Sequence, residues 1–112
     1  MTRIEKMTGS KLQDMIVEAA HPLGYKAAHF RGGLRKDGSY RTPVQYDAKG
    51  FPDLILVKGT LGIAFECKAE DEKVSAAQDE WIRWWREVGF IAYVVRPSDW
   101  DEIVKILMGK RE

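Results

Sequence analysis

The sequence predicts an α/β fold: a small mixed β-sheet flanked by helices, in the order α-β-β-β-α-β-α. Three observations predict it. Two runs rich in Ile, Leu, Val and Phe, Asp53 to Lys58 and Leu61 to Lys68, flank Gly59-Thr60. Segments on either side of them carry apolar residues at helical spacing, and a further apolar run, Phe90 to Arg96, follows the second of these segments. With 112 residues, 45% of them hydrophobic and 31% charged, the chain has the composition of one globular domain with an ordinary core, spanning residues 1–112.

The first helix begins near Ser10, because Leu12, Met15, Ile16, Ala19 and Ala20 fall on one stripe while Glu18 lies on the solvent side. Pro22 and Gly24 stop it, with His21 at its end. Tyr25 to Arg31 alternates as a short strand, in which His29 reads as a structural residue rather than a metal ligand. Gly32-Gly33, Lys36-Asp37-Gly38, Thr42-Pro43 and Lys49-Gly50 then mark about twenty residues of irregular loop, a feature that in a small domain is usually either functional or disordered. Gly59-Thr60 suits a two-residue turn with glycine at its first central position, which makes the two flanking runs an antiparallel hairpin. A second helix spans Ala76 to Val88, with Ala77, Trp81, Trp84, Trp85 and Val88 on one face and Gly89 as its stop. Phe90 to Arg96 is a buried strand, and Ser98 caps a last helix carrying Ile103, Ile106 and Leu107. The second hairpin strand and the last strand should form a right-handed parallel crossover.

Eighteen Lys plus Arg against 17 Asp plus Glu give a net charge of +1, which excludes a strongly basic nucleic-acid tail. The charge is unevenly spread. Lys26 to Lys49 holds six bases and two acids, whereas Glu66 to Glu102 holds ten acids and five bases. The single cysteine, Cys67, allows no intramolecular disulfide and no cysteine-rich zinc site, which points to a reducing, cytoplasmic compartment. No apolar run approaches the roughly 18 residues needed to cross a bilayer, and the N-terminal segment has no apolar signal core. No membrane partner is expected.

Residues two apart on a strand share a face, so Glu66 and Lys68 point one way and Ile63, Phe65 and Cys67 the other. A two-residue turn at Gly59-Thr60 sets Asp53 directly across from Glu66, with Cβ atoms about 5 Å apart. Asp53, Glu66 and Lys68 then converge on one patch. Facing like charges are destabilising unless offset, and a hard divalent cation with oxygen ligands offsets two carboxylates better than one flexible lysine. The pattern predicts Mg²⁺ or Mn²⁺. A register slip of one residue would send Asp53 to the other face, so the site depends on this hairpin. The plainer reading makes Asp53 a turn cap and Glu66 and Lys68 a solvated ion pair worth under about 1 kcal/mol.

Gly50-Phe51-Pro52-Asp53, then Glu66-Cys67-Lys68, then Val74-Ser75-Ala76-Ala77-Gln78 resembles the PD-(D/E)xK nuclease superfamily and, within it, the VRR-NUC domains of phage and bacterial proteins. The likeness runs from about Ser10 to the end and includes Ala28-His29-Phe30-Arg31, Arg41-Thr42-Pro43-Val44-Gln45 and Arg96-Pro97-Ser98-Asp99-Trp100. The resemblance implies a restriction-endonuclease-like fold and metal-dependent hydrolysis of phosphodiester bonds. The expected substrate is DNA, cut structure-selectively, and the expected active form is a homodimer, since one small domain covers little duplex and cutting both strands needs two sites. It implies that Asp53, Glu66 and the backbone carbonyl of Cys67 ligate the metal, that Lys68 orients or helps deprotonate the attacking water and stabilises charge on the phosphate, and that Gln78 belongs to the site. Arg31, Arg35, Lys36, Arg41 and Arg96 would contact nucleic acid. Two positions depart from the pattern: where the family often has a glutamate at the start of the first helix, this chain has Gly9, with Gln13 the nearest matching polar residue on that side, and the family's Val-Arg-Arg appears only as Val95-Arg96-Pro97.

Other readings stand beside these. Gln78 lies three residues after Ser75 and can be the return half of a capping box, a pattern that Ser10 and Gln13 repeat. The spacing of Trp81, Trp84 and Trp85 fits core or dimer packing better than base stacking. At the level of function, the alternatives to a nuclease are a non-cleaving nucleic-acid-binding module on the same fold, or a subunit-interaction domain using the Trp-rich helix.

Overall fold

The computed structural model describes residues 7–30 and 46–109. Helix α1 covers Gly9–Ala20 and is followed by a single 3₁₀ turn, His21–Leu23; strands β1, β2 and β3 are Lys26–His29, Leu54–Lys58 and Leu61–Cys67. Helix α2 is Ala76–Glu87, β4 is Ile91–Val95, and α3, Trp100–Leu107, follows a second 3₁₀ turn at Pro97–Asp99. The strands form one sheet in the order β1-β2-β3-β4, antiparallel between β1, β2 and β3 and parallel between β3 and β4. The expected order of elements, the hairpin and the parallel crossover are all present.

The sheet is covered on both faces. Leu54, Leu56, Ile63, Phe65, Cys67, Ile91 and Val95 pack on one side against Leu12, Ile16 and Ala20 of α1 and Ile103, Ile106 and Leu107 of α3. Ala64 and Ala92 pack on the other against Ile82 of α2, with Ile55, Trp85, Phe90 and Val94 around them. Burial on both faces is why β3 reads as a nearly continuous apolar run. Gly59 adopts φ 59°, the left-handed value that the first central residue of this hairpin turn requires.

Four local expectations are corrected. The cap of α1 is Thr8, not Ser10: the Thr8 hydroxyl accepts from the Lys11 N–H at 3.0 Å, which starts the helix a turn-fraction earlier. Ser98 does not cap α3, because it sits inside the 3₁₀ turn and its N–H and hydroxyl donate to the Glu70 carboxylate, leaving Asp99 as the residue that precedes the helix. The buried residue of α2 is Ile82, while Val88 is 71% exposed, so the helix is rotated from the face that the tryptophans define. Trp81 instead stacks edge-on with Phe51 at 4.9 Å and Trp84 at 5.1 Å, and its indole N–H donates to the Asp47 carbonyl at 2.9 Å, tying the segment before β2 to α2. β1 is also shorter than expected. Tyr25 is buried with its hydroxyl donating to the Leu107 carbonyl at 2.8 Å, and Arg31 lies outside the described residues.

Candidate active site

Asp53, Glu66, Lys68 and Gln78 meet where β2 begins, β3 ends and α2 starts. Leu54 pairs with Phe65, so the next pair outward is Asp53 and Glu66, in the register expected from the turn. Backbone bonds hold both ends of this corner. The Phe30 N–H donates to the Asp53 carbonyl at 2.8 Å, and the Lys68 N–H donates to the Val95 carbonyl at 2.9 Å, extending the β3–β4 ladder one residue past the end of β3. The Asp53 side chain reaches across to the strand end, where its Oδ2 accepts from the Cys67 N–H at 3.1 Å.

Glu66 lies on the α2 side of β3, as alternation with Phe65 and Cys67 requires, and is only 3% exposed. Its Oε2 accepts from Gln78 Nε2 at 3.0 Å, and its buried Oε1 has no hydrogen-bond partner among the described residues. Gln78 does two things at once. Its Oε1 accepts from the Ser75 N–H at 2.9 Å and its main-chain N–H donates to the Ser75 hydroxyl at 3.1 Å, so on the side chain the capping box and the contact with Glu66 use opposite ends of one amide. Lys68, 6% exposed, places its ammonium 3.8 Å from Glu66 Oε2 and 3.5 Å from Glu72 Oε2.

Removing two carboxyls from water at this corner makes both harder to ionise. Burial, then the charge of Asp53, pushes Glu66 from an ordinary 4.5 up to about 8, with Lys68 opposing. Burial also raises Asp53, against the pull of the Cys67 amide. The pair therefore holds a proton more tightly than free carboxyls do, and a lysine shared with Glu72 does not offset this. Burial, reinforced by both acids, pushes the Cys67 thiol upward as well, which makes it a neutral packing group.

A hard cation suits this donor set. Two facing carboxylates, one with an unpartnered buried oxygen, and the Cys67 main-chain carbonyl are the groups that would hold it. Among the described residues no group of three or more His, Cys, Asp or Glu side chains is arranged for a metal, so the side-chain donors here number two. Gly9 explains the departure at the start of α1. A Cβ at this position would collide with the Cys67 carbonyl oxygen and lie 3.0 Å from its carbon, so no side chain fits between the helix and the strand end. Gln13, one turn further along, is buried at 4% exposure.

The remaining sequence-derived residues divide in two. Arg31, Arg35, Lys36 and Arg41 lie outside the described residues. Arg96 is described, and its Nη1 donates to the carbonyls of Ala69 at 2.6 Å and Glu70 at 3.1 Å. Glu72 was not singled out in the sequence. Its i,i+4 spacing from Lys68 is a signal only when the intervening residues form a helical turn, which nothing between them announces. His29 is exposed on β1, and His21 closes α1 with its N–H on the Val17 carbonyl. A cavity of about 650 Å³ lies along β4, lined by Arg86, Tyr93, Asp99 and Ile103 among others, and none of the four candidate residues borders it. Comparison with protein-family models, curated proteins and solved structures finds no match to this chain.

Proposed function

We propose that this protein is a divalent-metal-dependent nuclease that hydrolyses DNA phosphodiester bonds, with Mg²⁺ or Mn²⁺ as cofactor. The observation that carries this reading is the cross-strand pair Asp53 and Glu66, both disfavoured as anions, with the Lys68 ammonium 3.8 Å from Glu66. Asp53, Glu66 and the Cys67 carbonyl would hold the ion. When bound, it supplies Lewis acidity toward a phosphoryl oxygen and makes water acidic enough to attack at neutral pH. Gln78 fixes the Glu66 carboxylate in one orientation. Lys68 presents a positive charge, held in place before the substrate arrives, to a phosphate whose oxygens become more negative toward the transition state. The same ammonium also orients the attacking water. The substrate is taken to be branched or duplex DNA and the active form a homodimer, since one small domain covers little duplex and cutting both strands needs two sites.

The test incubates purified protein with supercoiled, linear and branched DNA in Mg²⁺, Mn²⁺ or EDTA. Cleavage should require the metal and fall about 100-fold or more in Lys68→Ala, the range for losing one preorganised stabilising group, with an unchanged far-UV circular dichroism spectrum. Binding without cleavage in every metal would instead identify a non-cleaving nucleic-acid module. Neither activity, with a stable dimer, would identify a subunit-interaction domain.

A further inference from the structure

We propose that Arg96 and Glu72 are positioning residues for Lys68, with Arg96 acting through the turn that follows the lysine rather than on nucleic acid. This rests on the nuclease reading for its kinetic consequence, but not for its structural one. The end of β4 grips the end of β3 twice in succession. Val95 accepts the Lys68 N–H at 2.9 Å, and the next residue, Arg96, sends Nη1 to the carbonyls of Ala69 and Glu70 at 2.6 and 3.1 Å. Ser98 adds a third hold through its hydroxyl, 3.1 Å from Glu70 Oε2. Glu72 closes the turn from the far side. Its Oε1 accepts from the Ala69 N–H at 3.0 Å, its own N–H donates to the Ala69 carbonyl at 3.2 Å, and its Oε2 lies 3.5 Å from Lys68 Nζ.

Both main-chain groups of Ala69 are therefore bonded, and the side chain that closes the turn also holds the ammonium. A lysine stem has four rotatable bonds, and left free it would sample many positions around Glu66. The clamp restricts it to one. The arrangement also accounts for Arg96 being half-buried with its guanidinium end directed at two carbonyl oxygens, an orientation that commits Nη1 to the protein.

Two measurements on Arg96→Gln and Glu72→Gln test this. Glu72 is exposed, so its variant retains the fold even if Arg96→Gln does not. In Mn²⁺-dependent cleavage, both variants should lose about 10-fold or more in kcat with KM for DNA within about twofold, as expected when a reacting group is misplaced rather than a substrate contact removed. In the metal-free and DNA-free protein, acylation of Lys68 by an amine-directed reagent, followed by mass spectrometry of the Lys68 peptide, should accelerate several-fold in both. Accelerated labelling in a protein that never cleaves DNA would sink the nuclease reading and leave the positioning role standing. A raised KM with unchanged kcat and a shallower salt dependence for Arg96→Gln, together with wild-type labelling of Lys68 in Glu72→Gln, would overturn the proposal.

Discussion

Replacing Asp53 by asparagine keeps the shape of the side chain and its place at the strand end while removing the charge that faces Glu66. Affinity for Mn²⁺ in a calorimetric titration should fall by at least about 10-fold, the low end of what disturbing a metal site costs, with the far-UV spectrum intact; unchanged affinity refutes the ligand assignment. Glu66 governs the pH dependence of the metal-free protein. Its carboxyl moves from 4.5 to about 8 on folding, so between those values the unfolded chain binds fewer protons than the folded one and stability falls as pH rises, levelling off above the folded value. Asp53 is shifted in the same direction and adds to the effect. The denaturant midpoint in EDTA should decline across that window, and Glu66→Gln should flatten the decline; a midpoint that rises with pH there would contradict the burial of the pair. Asp53, Glu66 and Lys68 were legible in the sequence because strand alternation and a two-residue turn are local rules. Glu72 and Arg96 were not, because they act through an irregular turn whose path depends on where β4 ends.

Helix α2 shows how a helix serves stability and chemistry with the same residue. Gln78, Ile82 and Trp85 fall on one stripe toward the sheet, with Ile82 at 4% exposure, while Trp84, 39% exposed, turns outward. The sequence pattern favoured the larger aromatic side chains as the buried face. Phe51 meets Trp81 at 4.9 Å and Trp85 at 5.9 Å, with Phe30 against Phe51 at 5.3 Å, so the aromatic side of α2 packs in part on the segment before β2. Ser75→Ala and Gln78→Ala should each cost about 1 kcal/mol of stability through the lost capping interaction. They separate in function: only Gln78→Ala, which also releases the Glu66 carboxylate, should lower Mn²⁺ affinity and cleavage. Equal functional losses in both variants would reduce Gln78 to a helix cap.

Across the entire chain, a net charge of +1 hides a basic stretch up to Lys49 and an acidic one from Glu66 onward. If the basic stretch up to Lys49 meets phosphates, Arg35→Ala combined with Lys36→Ala should lower the slope of log affinity against log salt by about 2, one for each lost contact. An unchanged slope would remove these two residues from the interface. Helices on both faces bury the sheet, and residues from three separated segments meet at one corner, with Asp53 just before β2 and Glu66 near the end of β3, where the antiparallel hairpin meets the parallel strand. Fold class, order of elements, hairpin register and the meeting of Asp53, Glu66 and Lys68 were readable from residue order, because each follows from periodicities of two or 3.6 and from one tight turn. Three-dimensional packing alone decided the rotation of α2, the exclusion of any side chain at Gly9, and the clamp of Arg96 and Glu72 around Lys68. These depend on which surfaces compete for the same space between chain segments far apart in sequence, and no local pattern encodes the outcome of that competition.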